Sequence, residues 1–100
     1  MSQRICAIDK TLYEILTESP DHTFRLPEVR VEYSARSVEW AQIPTEQLFR
    51  MIYMQVHALK MFKLVRREEN PSGEGFYLLE KRFWDYPFNI VDGLLLEWRG

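Results

Sequence analysis

The run from Thr45 to Lys63 contains neither glycine nor proline, and it leads without a break into a β-hairpin signature. Leu48, Ile52, Val56, Leu59 and Phe62 recur along it at spacings of three and four, the period of one face of an α-helix. Directly after it, Leu64–Glu69 and Phe76–Arg82 read as two strands. They are separated by Asn70-Pro71-Ser72-Gly73-Glu74-Gly75, a cluster of turn formers. A chain of 100 residues has room for one domain, spanning 1–100, and a helix that runs straight into a hairpin restricts how that domain is built. Hydrophobic residues make up 46% of the chain and aromatic ones 14%, enough for a single modest core.

Upstream, apolar residues at Ile5, Ile8, Leu12, Ile15 and Leu16 predict an amphipathic helix over Ile5–Leu16. Glu18-Ser19-Pro20-Asp21 ends it, because a proline disfavours helical backbone at the residue before it. Thr23-Phe24-Arg25 is a short extended candidate. Over Leu26–Trp40 a helix is favoured: Pro27 suits a first turn, and Leu26, Val29 and Tyr33 share a helical face. The alternation of Val29, Val31 and Tyr33 leaves a strand open. Ile43-Pro44-Thr45 marks a boundary, with Thr45 as N-cap or Pro44 in the first turn. The segment after Phe83 holds Phe83, Trp84, Tyr86, Phe88 and Trp98, and Ile90–Trp98 is the candidate for a short terminal helix.

The order helix, short strand, helix, helix, hairpin resembles the winged helix-turn-helix superfamily. The residues that carry the resemblance are LYEILTESPDHTFRLPEV (Leu12–Val29), IPTEQLFRMIYMQVHALKMFKLVRRE (Ile43–Glu68) and GFYLLEK (Gly75–Lys81). Members of that superfamily often carry a glycine at the passage from the third helix to the wing. Here the passage reads Phe62-Lys63-Leu64-Val65. The fold expected is α+β and winged helix-turn-helix-like: about three helices, a C-terminal β-hairpin wing and a short terminal helix. The resemblance implies a small bacterial-type DNA-binding regulator whose third helix enters the major groove and whose wing meets the flanking backbone.

On the residues themselves, Arg50 and Gln47 on the exposed face of the Thr45 helix have the donors and acceptors to read base edges. Thr45 at the helix start and Tyr53 complete the candidate DNA-reading set. Arg66, Arg67, Lys81 and Arg82, expected on adjacent wing strands, are the candidate backbone contacts. Two readings compete with DNA. A surface helix has a solvated face in any case, and Glu68, Glu69, Glu74 and Glu80 stand among the arginines, so opposite charges facing across the strands would stabilise the hairpin by roughly 0.2–1 kcal/mol a pair. Tyr53, Met54 and Met61, with Trp84, form instead the candidate partner-binding set of a protein-interaction module on the same scaffold, since clustered surface apolar residues mark contact surfaces.

Charge favours the second reading, while the base rate for the resembled fold favours DNA and keeps a DNA-binding transcriptional regulator as the leading expectation. Lys plus Arg is 13 against 15 Asp plus Glu, a net charge of −2, where nucleic-acid binders usually show a basic excess. Only residues 45–82 are net positive, with seven basic and five acidic side chains. Catalysis has no signature: His22, His57 and Cys6 lack metal-ligand spacing, and there is no phosphate loop, dinucleotide fingerprint or nucleophile elbow. No cofactor is expected. A lone cysteine, read as a small buried apolar residue, suits a reducing compartment, and no signal peptide or membrane span is legible, so the expectation is cytoplasmic. The aromatic tail 83–100 packs over the first helix or serves as a dimer interface, and a homodimer is expected from the excess of rings.

Overall fold

The structure is a computed structural model that describes residues 5–19 and 21–93. Among these residues it is a mixed α+β fold with five helices and five strands, in the order β1 (Ala7–Asp9), α1 (Lys10–Thr17), β2 (Thr23–Phe24), α2 (Leu26–Arg36), α3 (Val38–Ala41), α4 (Thr45–Met61), β3 (Val65–Glu69), β4 (Gly75–Leu79), α5 (Lys81–Asp85) and β5 (Asn89–Val91). β3 and β4 form an antiparallel hairpin in which Val65 faces Leu79 and Glu69 faces Gly75. β2 joins the far edge of β4, giving the sheet order β2-β4-β3. A separate parallel pair joins β1 to β5.

The long helix and hairpin stand where the apolar period and the turn chemistry place them. α4 buries Leu48, Ile52, Val56 and Leu59, together with Met51 and Gln55, while Phe62 is half-buried at its end. The hairpin turn is built on Asn70. Its side-chain Oδ1 accepts from the backbone N–H of Ser72 and of Glu74, and Gly73 adopts φ +88° as it donates to the Asn70 carbonyl. α2 is a helix, which settles the helix-or-strand choice over Leu26–Arg36: Val29 and Tyr33 are buried, but Val31 is 54% exposed.

α4 ends in a hydrogen-bonded reversal. Lys63 N–H donates to Lys60 O and Leu64 N–H to Leu59 O, both at 2.9 Å, the Schellman pattern that satisfies the last carbonyls of a helix. That pattern requires a left-handed residue, and Lys63 supplies it at φ +60°. The position is the one where a glycine is customary, so a lysine holds a conformation that costs an L-residue roughly 1–2 kcal/mol.

Three expectations are corrected. The first helix begins at Lys10, not Ile5, because Asp9 caps it by accepting from Thr11 N–H at 3.1 Å, and Ala7–Asp9 is extended to pair with β5. The expected helix over Ile90–Trp98 is absent at its start: Asn89–Val91 is that pairing strand, Gly93 follows at φ +74°, and the stretch from residue 94 on lies outside the described residues. The second hairpin strand stops at Leu79: Glu80 N–H still donates to Leu64 O, the next residue in register, but the Leu64 N–H is taken by Leu59 O at the end of α4, so the ladder goes no further and α5 begins at Lys81. Lys81 and Arg82 are therefore on a helix rather than on a wing strand, and the count of helices exceeds the three expected because α3 and α5 are short additions.

Among the described residues, Phe83, Tyr86 and Phe88 pack within the chain. Phe83 is fully buried and stacks on Tyr13 of α1 at 6.0 Å; Phe88 meets the same tyrosine edge-on at 5.8 Å. Tyr86 packs against Phe62, and its hydroxyl accepts from Cys6 N–H at 2.9 Å.

A polar cluster lies inside this core. Asp9, 1% exposed, accepts from the Tyr33 hydroxyl at 2.9 Å through Oδ2 and from Thr11 N–H through Oδ1. Its own N–H donates to Gln55 Oε1 at 2.8 Å, and Gln55 is fully buried. Gln55 Nε2 has no hydrogen-bond partner among the described residues. Burial raises the Asp9 carboxyl above its ordinary value, opposed by the bonds from Thr11 and Tyr33.

Two predictions follow from this packing. Lys63→Gly should stabilise the protein by roughly 0.5–1 kcal/mol, the left-handed strain relieved less the added freedom of the unfolded chain, measured by urea denaturation. The Asp9 carboxyl is raised on folding from 3.8, so the folded state holds a proton that the unfolded chain releases. The stability from that proton is fully present below pH 3.8 and drains away as pH rises through the raised folded value. Asp9→Asn cannot titrate. The wild type should therefore lose stability relative to this variant across that window and hold a constant difference above it, as read from paired urea midpoints.

Candidate functional site

The outer face of α4 is the part of the surface where most candidate residues meet. Pro44 is the N-cap, with no side-chain capping bond, and its carbonyl accepts from Leu48 N–H at 2.9 Å. Thr45 is thus the first helical residue and not the cap. Thr45, Gln47, Arg50, Tyr53, Met54 and Met61 are all exposed on this helix, as are Glu46, His57 and Lys60. At 100° per residue, Glu46, Arg50, Tyr53, His57 and Lys60 fall on one stripe opposite the buried Gln55 and Leu59, with Met54 and Met61 along its flank.

Exposed apolar side chains stand within and beside this charged stripe. Tyr53 is 49% exposed, Met54 47% and Met61 70%. The Tyr53 and His57 rings stack at 6.3 Å. Around the first two turns, Thr45, Glu46, Phe49, Arg50 and Tyr53 line a shallow depression of about 550 Å³.

The hairpin carries its charge in pairs. Arg66 Nε lies 3.0 Å from Glu68 and its Nη1 3.5 Å from Glu80. Arg67 lies 3.1 Å from Glu69, and at the tip Arg25 reaches Glu74 at 2.9 Å. Arg66–Glu68 and Arg67–Glu69 run along one strand, two residues apart on the same face, so the expectation that opposite charges face each other across the strands is not met: Arg66–Glu80 crosses to the other side of the hairpin only diagonally. Directly across from the arginines stand Leu78 and Tyr77. The Arg67 guanidinium lies over Gly75, where any side chain would collide with it. Burial raises the Tyr77 hydroxyl above its ordinary value, and the adjacent Arg67 charge opposes this.

The remaining candidates are dispersed. Arg82 on α5 donates to the Phe62 carbonyl at 3.3 Å, placing a cation at the C-terminal end of α4, where the helix dipole favours one. Lys81 is exposed beside it. Trp84, 43% exposed, packs against His22 at 5.1 Å, not against Tyr53 or Met54. Cys6 is buried, and desolvation pushes its thiol up to about 11. Among the described residues, no group of three or more His, Cys, Asp or Glu side chains is arranged to hold a metal ion, and no helix is long and apolar enough to cross a membrane.

Sequence reasoning missed the Asp9–Tyr33–Gln55 cluster. A signal for it exists: Gln55 is three residues after Ile52 and four before Leu59, so it is a polar residue written into the apolar face of α4. Compared with protein-family models, curated proteins and solved structures, the chain matches none.

The outer residues of α4 and β3 make no contact on which the core depends. Arg50→Ala, Met54→Lys and Arg66→Ala should each change the free energy of unfolding by no more than about 0.5–1 kcal/mol in urea melts.

Proposed function

We propose that this chain is a protein-interaction module on a winged-helix-like scaffold, with the outer face of α4 as its contact surface. The scaffold reading is supported by the order α1, β2, α2, α4, β3, β4 and by the sheet order β2-β4-β3. In that reading residues 1–100 are one domain, and the β3–β4 hairpin is the wing.

The observation that carries the function is the pairing of charge. Arg66 and Arg67, the hairpin cations that would meet a phosphate backbone, each lie against carboxylates of this chain. Phosphate binding gains its affinity from cations that neutralise phosphates and release counterions. Here that neutralisation is already made internally, and the helix beside the hairpin offers Tyr53, Met54 and Met61. Thioether and aromatic side chains grouped on one face suit a protein partner, since they supply adaptable apolar contact.

One observation favours duplex DNA as a second reading: Thr45, Gln47 and Arg50 project from the first two turns of α4. Photocrosslinking separates the two. With a benzoyl-phenylalanine placed at Met54, irradiation of cells that carry the chain should give an adduct that survives nuclease and is removed by protease. A nuclease-sensitive adduct would overturn the protein reading. Purified chain should then bind duplex with a log–log salt slope of about −2 to −4, weakened by Arg50→Ala in a sequence-dependent way.

A further inference from the structure

We infer that the occupant of the α4 face is a second copy of this chain, packed with its α4 antiparallel to the first. This rests on the proposed reading of that face and adds the identity of the partner. The argument starts from how charge is distributed along the helix. Glu46 is exposed in the first turn of α4, and Lys60 is exposed in the last. Lys63 and Arg82 add positive charge at the same end, with Arg82 on the Phe62 carbonyl. On the stripe Glu46 is therefore the anionic end and Lys60 the cationic end, with Arg50, Tyr53 and His57 between them.

Glu46 and Lys60 stand at equal distance in sequence on either side of Tyr53, and all three fall on the same stripe. A two-fold axis at Tyr53 turns this stripe onto itself. It sets the two Tyr53 side chains together and brings Glu46 of each copy against Lys60 of the other, giving two ion pairs separated by about 21 Å. The helix dipoles then also run in opposite directions, each N-terminus beside the other copy's cationic C-terminal end. A parallel arrangement would place like charges together at both ends. The apolar residues at the centre and the charged residues at the rim follow the usual anatomy of an interface.

The area sets the strength. A stable dimer buries roughly 800 Å² per partner. One face of a helix about 25 Å long supplies less than this, so the dimer is a weak and reversible one. Phe83 and Phe88 of the tail are not available for such a contact, because they already pack on Tyr13 within one chain.

The test is sedimentation equilibrium of the full chain from low micromolar to millimolar concentration, with charge-swap variants. Wild type should shift reversibly from 12.1 kDa towards twice that mass. Tyr53→Lys should leave only monomer. Glu46→Lys and Lys60→Glu should each weaken association about tenfold, and the double variant should restore it, because the swapped charges again complement across the axis. Circular dichroism of each variant establishes that α4 is retained. A monomer at every concentration overturns the inference, as does a dimer insensitive to the swaps or one broken by Trp84→Ala instead. These failures leave the protein-interaction reading in place, since only the nuclease-sensitive adduct removes that.

Discussion

The buried carboxylate of Asp9 ties together more of this chain than any other single group. It sits where β1 becomes α1, caps the helix through Thr11, and receives the hydroxyl of Tyr33 from α2. Its backbone N–H is held by Gln55 of α4. Burying a carboxylate is costly unless its lone pairs are filled, and here two donors fill them. Burial and the neighbouring Asp9 also hold the Tyr33 hydroxyl far above its usual titration range, so it stays a donor. Three helices and a strand are thus locked to one another by bonds whose directions are specific, which apolar contact alone does not provide.

Rotation of α4 follows from that lock. Gln55 must point inward to reach Asp9, and the helical period then directs Tyr53, Met54 and His57 outward. The surface proposed as the contact face is in this sense the reverse side of the polar cluster. The exit from α4 is set independently by Lys63. Its left-handed backbone reverses the chain so that Leu64 and Val65 enter the core and the hairpin starts beside the helix. Holding a lysine there, at a cost that glycine would avoid, keeps positive charge at the end of the helix.

Legibility in the sequence tracked the range of the interactions. α4, the hairpin and its turn are local structures, and the spacing of Leu48, Ile52 and Leu59 and the run from Asn70 to Gly75 declare them. The β1–β5 pair is not local. Ala7 meets Asn89 across most of the chain, and two three-residue strands carry too little alternation to announce themselves. Ile5 and Ile8 fell into step with Leu12 by spacing alone, which made a strand and a capped helix look like one longer helix. Among the candidate site residues, those on α4 were placed correctly because one helical period governs them all. Lys81 and Arg82 were misplaced because the end of β4 depends on Leu64 spending its N–H on Leu59 at the end of α4, a contact that no spacing rule encodes.

The charge of the hairpin shows why composition and geometry must be read together. Four arginines and several glutamates in and around one hairpin are compatible with a phosphate-binding wing or with a neutral one, and their number does not distinguish the two. What the distances add is that Arg25, Arg66 and Arg67 each have a carboxylate within 3.1 Å. Such exposed pairs add little stability, at most about 1 kcal/mol each, so their effect is on the outside world rather than on the fold. They lower the field that would draw a polyanion to the hairpin. On the proposed reading, the outer face of α4 is then the feature that an approaching molecule meets, a surface that discriminates by shape and by a few placed charges. In that proposal Glu46 and Lys60, at the two ends of α4, are the charges placed to do so.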